Sequence, residues 1–147
     1  MSALARRYYV RALEQLRRGE MDDATEGFRQ ALELAPMFVE ARVGYANAVA
    51  RTDALHAANS LRTGLARTDL RPHQRLLLQR SLGDVLLAVG PAGYREAEDA
   101  YHEAWRLGDR LGMPQVDLHD RLARLRAKTG RFTDALDELL AAARARP

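Results

Sequence analysis

The chain contains no cysteine and only five prolines among its 147 residues. Without cysteine it forms neither a disulfide nor a zinc site with thiolate ligands, which fits a reducing compartment. It also lacks the roughly 18 consecutive apolar residues that a membrane-spanning helix requires. No long apolar run follows the charges at its start, so we expect no secretory signal. These absences together predict a cytoplasmic protein with no membrane partner.

The excess of positive charge is small for a chain so rich in arginine. Basic residues number 23 and acidic residues 20, and no run of five like charges occurs. Such a weak net field favours solubility over attraction to nucleic acid. A nucleic-acid-binding helical repeat is therefore the least favoured of the functions that we consider.

An internal repeat runs through the whole chain. Four stretches share an alanine, a large apolar residue four positions later and a small residue three positions after that. They are Ala24-Phe28-Ala31, Ala57-Leu61-Gly64, Ala97-Tyr101-Ala104 and Ala135-Leu139-Ala142. Each stretch follows a helix-length segment and a break, so the pattern predicts a series of helix pairs.

The first and last repeats carry the clearest motif. In the first, Tyr8 and Ala12 precede a turn glycine, Gly19, and a proline, Pro36, closes the unit. Residues 130–147 repeat the features of residues 19–36, with Gly130 at the turn and Pro147 at the end. These motifs resemble those of the tetratricopeptide repeat family. The resemblance implies antiparallel helix pairs that stack into a superhelix and bind other proteins.

The predicted fold is all-α: an alpha-alpha superhelix, or solenoid, of about four antiparallel helix pairs. It forms a single tetratricopeptide-repeat domain over residues 1–147, with units near 3–36, 37–71, 72–112 and 113–147. Apolar spacing and break residues place helices at 3–18, 22–35, 37–51, 54–68, 73–89, 94–110, 115–129 and 132–145. About 80% of the chain would then be helical, with no sheet.

Signals of catalysis or metal binding are missing from the sequence. Its histidines are His56, His73, His102 and His119, and no two of them are four residues apart. No phosphate-binding glycine loop and no serine in a G-x-S-x-G motif occurs. We therefore expect no enzyme activity, no cofactor and no metal site.

The groove of the solenoid is the predicted binding surface, because the first helix of each pair lines the concave face of such stacks. The helical period turns eleven residues toward it: Arg6, Tyr9, Leu13, Leu16, Val43, Asn47, Arg80, Asp84, Leu87, Asp120 and Arg124. The set is apolar at one end and charged at the other, which suits an extended or helical peptide with hydrophobic anchors. For Leu13 and Leu16, burial in the core is an equally supported interpretation.

The last predicted helix presents a second apolar surface. Phe132, Leu136, Leu139 and Leu140 recur along it, and no polar capping helix follows before residue 147. We expect this face to be covered by self-association, by a partner, or by a further C-terminal segment.

The function favoured by these patterns is that of a bacterial-type scaffold or adaptor, which binds a peptide or domain of another protein through its groove. The alternative is a secretion-type chaperone that holds an effector segment before export. Which protein is bound, and in which process, the sequence leaves open.

Overall fold

Eight α-helices make up the computed structural model, which describes residues 1–145 and every side chain among them except that of Phe132. They are α1 (Ala3–Arg17), α2 (Met21–Leu34), α3 (Val39–Val49), α4 (Ala54–Leu65), α5 (Pro72–Val89), α6 (Tyr94–Arg110), α7 (Val116–Lys128) and α8 (Phe132–Ala145), with a short 3₁₀ turn at Pro91–Gly93. The structure is 81% helical, and residues 1–145 contain no strand. The predicted all-α fold is confirmed.

The helices pack as four antiparallel pairs in chain order: α1 with α2, α3 with α4, α5 with α6, and α7 with α8. The second helix of each pair also packs against the first helix of the next, so α2 contacts α3, α4 contacts α5 and α6 contacts α7. First helices meet one another too, since α3 contacts α5 and α5 contacts α7. This arrangement is the predicted solenoid.

Short-range signals in the sequence set several helix ends. Gly19 and Gly130 follow α1 and α7 with φ of +79°, a left-handed conformation that glycine adopts without steric cost. At the start of α4 the Asp53 side chain accepts a hydrogen bond of 3.0 Å from the backbone N–H of His56. The predicted turns at Gly19 and Gly130 are therefore confirmed.

Helices α3 and α4 are shorter than predicted, for different reasons. The backbone N–H groups of Thr52 and Asp53 both donate to the Val49 carbonyl, at 3.0 and 2.8 Å, which closes α3 before residue 51. Helix α4 stops at Leu65, where the Arg75 guanidinium donates to the carbonyls of Leu65 and Arg67 at 3.3 and 3.0 Å. Arg75 lies on the next helix, so local sequence signals could not indicate this end.

Large side chains of the second helices pack against glycines of the first helices. Phe28 and Tyr101 are fully buried, with 0% of each residue exposed. A Cβ atom at Gly44 would lie 2.7 Å from the Phe28 ring, and one at Gly83 would lie 2.4 Å from the Tyr101 ring. Both distances are too short for carbon atoms in contact, so each ring occupies the space that the glycine leaves.

Replacing Gly44 by alanine tests this close packing. Alanine stabilises a helix interior by about 1 kcal/mol relative to glycine, but we expect Gly44→Ala to destabilise the chain by about 1–3 kcal/mol because the Phe28 ring must move. Urea unfolding of Gly44→Ala, Phe28→Leu and the double variant measures the coupling. Additive free energies of unfolding would show that the ring and the glycine do not constrain each other.

Charged side chains hold the fourth pair against the third. Glu98 of α6 accepts a hydrogen bond of 2.8 Å from Arg131, and its carboxylate lies 3.9 Å from Arg126 Nε. Glu138 of α8 pairs with His119 at 2.7 Å and with Arg126. Burial alone would raise the pKa of Glu98, but its hydrogen bond with Arg131 and the nearby positive charges outweigh this and hold the pKa below the ordinary 4.5.

The lowered pKa of Glu98 predicts a loss of stability in acid. A carboxyl group with a lower pKa in the folded chain stabilises the fold above its ordinary pKa, and that contribution disappears as the pH falls through the folded value. We expect the free energy of unfolding to fall below pH 4.5 in the wild type, and to fall less steeply in Glu98→Gln. Glu103→Gln is the control, because Glu103 pairs with Arg106 of its own helix and with no other residue among those described. Equal slopes for the two variants would contradict the assignment.

Candidate functional site

The first and second helix pairs enclose an apolar hollow of about 280 Å³, which we call the first concavity. Five of the eleven predicted groove residues line it: Tyr9, Leu13, Leu16, Val43 and Asn47. The other lining residues were not among the predicted groove residues; they are Met21, Phe28, Glu40, Gly44 and Ala48. Leu13 and Leu16 are both exposed, so their interpretation as core residues is wrong.

Tyr9 forms the aromatic wall of the first concavity. Its ring centre lies 4.8 Å from that of Phe38 and 5.9 Å from that of Phe28, in tilted contacts typical of aromatic clusters. Burial, and then the negative charge of Glu40, raise the pKa of the Tyr9 hydroxyl above 10.0. Glu40 therefore gives this apolar hollow one acidic edge.

Removing the charge of Glu40 should lower the pKa of Tyr9. We expect Glu40→Gln to move the Tyr9 pKa toward 10.0 but not to reach it, since burial remains. A ring-resolved NMR titration of the tyrosines measures the shift, with Glu33→Gln as the control because Glu33 pairs with Arg29. An unchanged Tyr9 pKa in Glu40→Gln would show that Glu40 does not act on Tyr9.

Helices α5 and α7 enclose a charged hollow of about 570 Å³, the second concavity. Four predicted groove residues line it, namely Asp84, Leu87, Asp120 and Arg124, together with Ala88, Asp117, Arg121 and Lys128. Three acidic and three basic side chains therefore surround one cavity. The predicted change from an apolar to a charged end of the groove corresponds to these two concavities.

Asp84 is held in place inside the second concavity. Its Oδ1 atom accepts hydrogen bonds from the Tyr101 hydroxyl at 2.6 Å and from Arg121 Nε at 2.8 Å. Burial raises the pKa of Tyr101, and the Asp84 carboxylate raises it further. For Arg121 burial would lower the pKa, but the hydrogen bond and charge of Asp84 outweigh it and the pKa is raised. Asp84 thus joins α5, α6 and α7 and carries little unpaired charge toward the cavity.

Arg121 lines the second concavity but was not among the predicted groove residues. It lies one helical turn before Arg124, so the same periodicity that indicated Arg124 could have indicated it. Its ion pair with Asp84 joins residues 37 positions apart, so no pattern within one helix could indicate it.

The two concavities are separated where α3 meets α5. There the Ser81 hydroxyl donates a hydrogen bond of 3.1 Å to Asn47 Oδ1. The neighbouring Arg80 is half-buried and lines neither concavity. Arg6 lies apart as well, on the outer surface of α1. The structure therefore brings nine of the eleven predicted residues to the two concavities and places Arg6 and Arg80 elsewhere. The binding role of all eleven residues stays a prediction.

The last helix exposes the predicted apolar stripe. Leu136, Leu139 and Leu140 of α8 are all exposed, while Ala135 and Ala142 on its other side are buried against the chain. The side chain of Phe132, the fourth residue predicted for this face, and Pro147 lie outside the described residues.

The histidines are dispersed, as the sequence suggests. The ring of His56 lies 2.9 Å from the Tyr45 hydroxyl, and that of His119 contacts Glu138. Within residues 1–145, excluding the Phe132 side chain, no three His, Cys, Asp or Glu residues form a group suited to a metal ion. Over the same range no helix has the length and apolar character to cross a membrane.

Comparison with known proteins gives structural neighbours only. No family model matches the chain, and no curated protein matches its sequence. Two solved structures of MamA, a helical repeat protein, share its fold. MamA AMB-1 is 18% identical with a TM-score of 0.66, over 95% of this chain and 76% of that one. MamA MSR-1 is 17% identical with a TM-score of 0.67, over 94% and 74%. The TM-scores show that these proteins share a helical-repeat fold with this chain, and at such low identity they show the fold alone.

Proposed function

We propose that the chain is a non-catalytic tetratricopeptide-type adaptor of the bacterial cytoplasm, which binds a peptide or domain of one partner protein along its first helices. The observation that carries this proposal is the pair of concavities, one apolar and one charged, that open between first helices of the same stack. Repeat proteins of this architecture use the extended surface along such helices for binding.

The first concavity supplies the apolar anchor site. Leu13 and Leu16 expose apolar surface beside the Tyr9 ring, and the hollow of about 280 Å³ has room for one large hydrophobic side chain. Burying that side chain removes apolar area from water, which contributes roughly 25 cal/mol per Å². We therefore assign most of the binding energy to this end.

The second concavity supplies orientation and selectivity. Because both acidic and basic groups line it, it favours a peptide that carries charges of both signs. A nucleic acid in the same cavity would also meet Asp117 and Asp120, which repel its phosphates. This mixture of signs supports a protein partner over a nucleic acid.

Substitutions at the two ends of the groove test the proposal. A peptide is first selected from a phage-displayed random library on the wild-type chain, and its affinity is then measured by fluorescence anisotropy. We expect Leu16→Glu and Arg124→Glu each to weaken binding at least tenfold, a change of about 1.4 kcal/mol. Leu16→Glu places a charge in the apolar hollow, whereas Arg124→Glu reverses one in the charged hollow.

The control for these variants is Leu55→Glu, since Leu55 is an exposed leucine on α4, outside both concavities. It should bind the selected peptide as the wild type does. Unchanged affinity in both groove variants, or an equal loss in the control, would show that the peptide binds another surface.

A further inference from the structure

Helix α8 leaves exposed a residue whose counterparts in the other pairs are fully buried. Phe28, Leu61 and Tyr101 are the large residues of the first three repeats, and each is 0% exposed. Leu139 holds the same place in the fourth repeat and is 50% exposed. The second helices α2, α4 and α6 each pack against the first helix of the following pair, whereas α8 packs against α7. In the first three pairs, the first helix of the next pair packs against the second helix. The exposed face of α8 has no such helix packed against it among the described residues.

Helix α1 exposes the complementary kind of face. Val10 lies two residues before the fully buried Ala12, just as Gly44 of α3 lies two residues before the fully buried Ala46. Gly44 lies against the Phe28 ring of the preceding pair, but Val10 is 62% exposed. Val10 and Leu13 form the apolar part of the α1 outer surface, which Arg6, Arg7, Arg11, Glu14 and Arg17 complete.

The two faces carry opposite charge. Helix α1 has four arginines and one glutamate, whereas α8 has three acidic residues and one arginine. The side chains of Arg7 and Arg11 make no hydrogen bond or ion pair with any described residue, and the same holds for the exposed side chain of Asp137. By the helical period Asp137 lies at the edge of the leucine stripe, next to Leu140. Positive charge thus borders the apolar stripe of α1, and the negative charge of Asp137 borders that of α8.

We propose that α8 of one copy packs against α1 of a second copy, so that copies of this chain join head to tail. Leu136, Leu139 and Leu140 would bury against Val10 and Leu13, while Asp137 at the edge of the α8 stripe faces Arg7 and Arg11. The contact repeats, between copies, the packing of a second helix on the next first helix that builds each chain. Because the two surfaces differ, a pair of copies still has one free α1 face and one free α8 face, so further copies add end to end.

Charge also selects head-to-tail packing over the symmetric alternatives. Two α8 faces packed together would bring Asp137 of one copy toward the acidic edge of the other copy and leave it without a basic partner. Two α1 faces would likewise oppose arginines. Like charges brought together in a contact are destabilising, so only the mixed contact satisfies both the apolar stripes and the charges.

Blocking one face at a time gives a sharp test. In Val10→Glu the α1 face is blocked, and in Leu139→Glu the α8 face is blocked, because each glutamate would be buried in an apolar contact. Sedimentation equilibrium should show the wild type growing in mass with concentration up to about 1 mM. Each variant alone should stay at the monomer mass of 16.5 kDa. An equimolar mixture of the two variants should form a complex of twice that mass and nothing larger. Val10→Glu keeps an intact α8 face and Leu139→Glu keeps an intact α1 face, so they can make one contact between them.

Controls separate assembly from folding and from groove binding. Circular dichroism should show wild-type helicity for both variants, and Leu136→Glu replaces Leu139→Glu if the latter loses helix. Leu16→Glu should assemble like the wild type, because Leu16 lines the first concavity and not the α1 outer surface. A monomeric wild type, or a monomeric mixture, would overturn the proposal. Assembly lost in Leu139→Glu but kept in Val10→Glu would instead show a contact between two α8 faces.

Discussion

The structure depends on one recurrent contact, in which a large side chain of a second helix packs against a small residue on a first helix. Phe28 against Gly44 joins the first pair to the second, and Tyr101 against Gly83 joins α6 to α5. Interiors are close-packed, so such a contact fixes the separation of two helices to within a methyl group. The Phe28 contact sets the separation between two successive pairs, and the Tyr101 contact sets the separation of the two helices within the third pair.

This constraint explains why so much of the fold could be predicted from the sequence. The alanine, large and small residues of each repeat are local signals, and the turn residues Gly19, Asp53 and Gly130 act within a few positions of themselves. Interactions between distant residues had no such signal. Arg42, for example, is 9% exposed and donates to the carbonyls of Pro36 and Ser60, 6 and 18 positions away. No pattern along one helix indicates a buried arginine of this kind.

The same distinction applies to the candidate site. Tyr9, Leu13, Leu16 and Val43 follow from the helical period alone, because a residue's face on a helix depends only on its position. That the groove divides into two concavities depends on the contact of Asn47 with Ser81, 34 positions apart. That the Asp84 carboxylate is hydrogen-bonded to Tyr101 and paired with Arg121 depends on partners 17 and 37 positions away. The sequence therefore indicated which residues face the groove, but not which of their charges remain available.

A contact that repeats along a stack also creates the faces at its two ends, and this relates the groove to the proposed assembly. Leu13 lines the first concavity and also borders the α1 outer surface. A peptide anchored in the concavity and an α8 helix packed on α1 would therefore touch the same side chain from two directions. If either one changes the position of Leu13, it changes the free energy of binding the other by an equal amount, since coupling between two sites is reciprocal. Leu16 lies in the concavity alone and Val10 on the outer surface alone, so the chain has positions at which either interaction can be altered separately from the other.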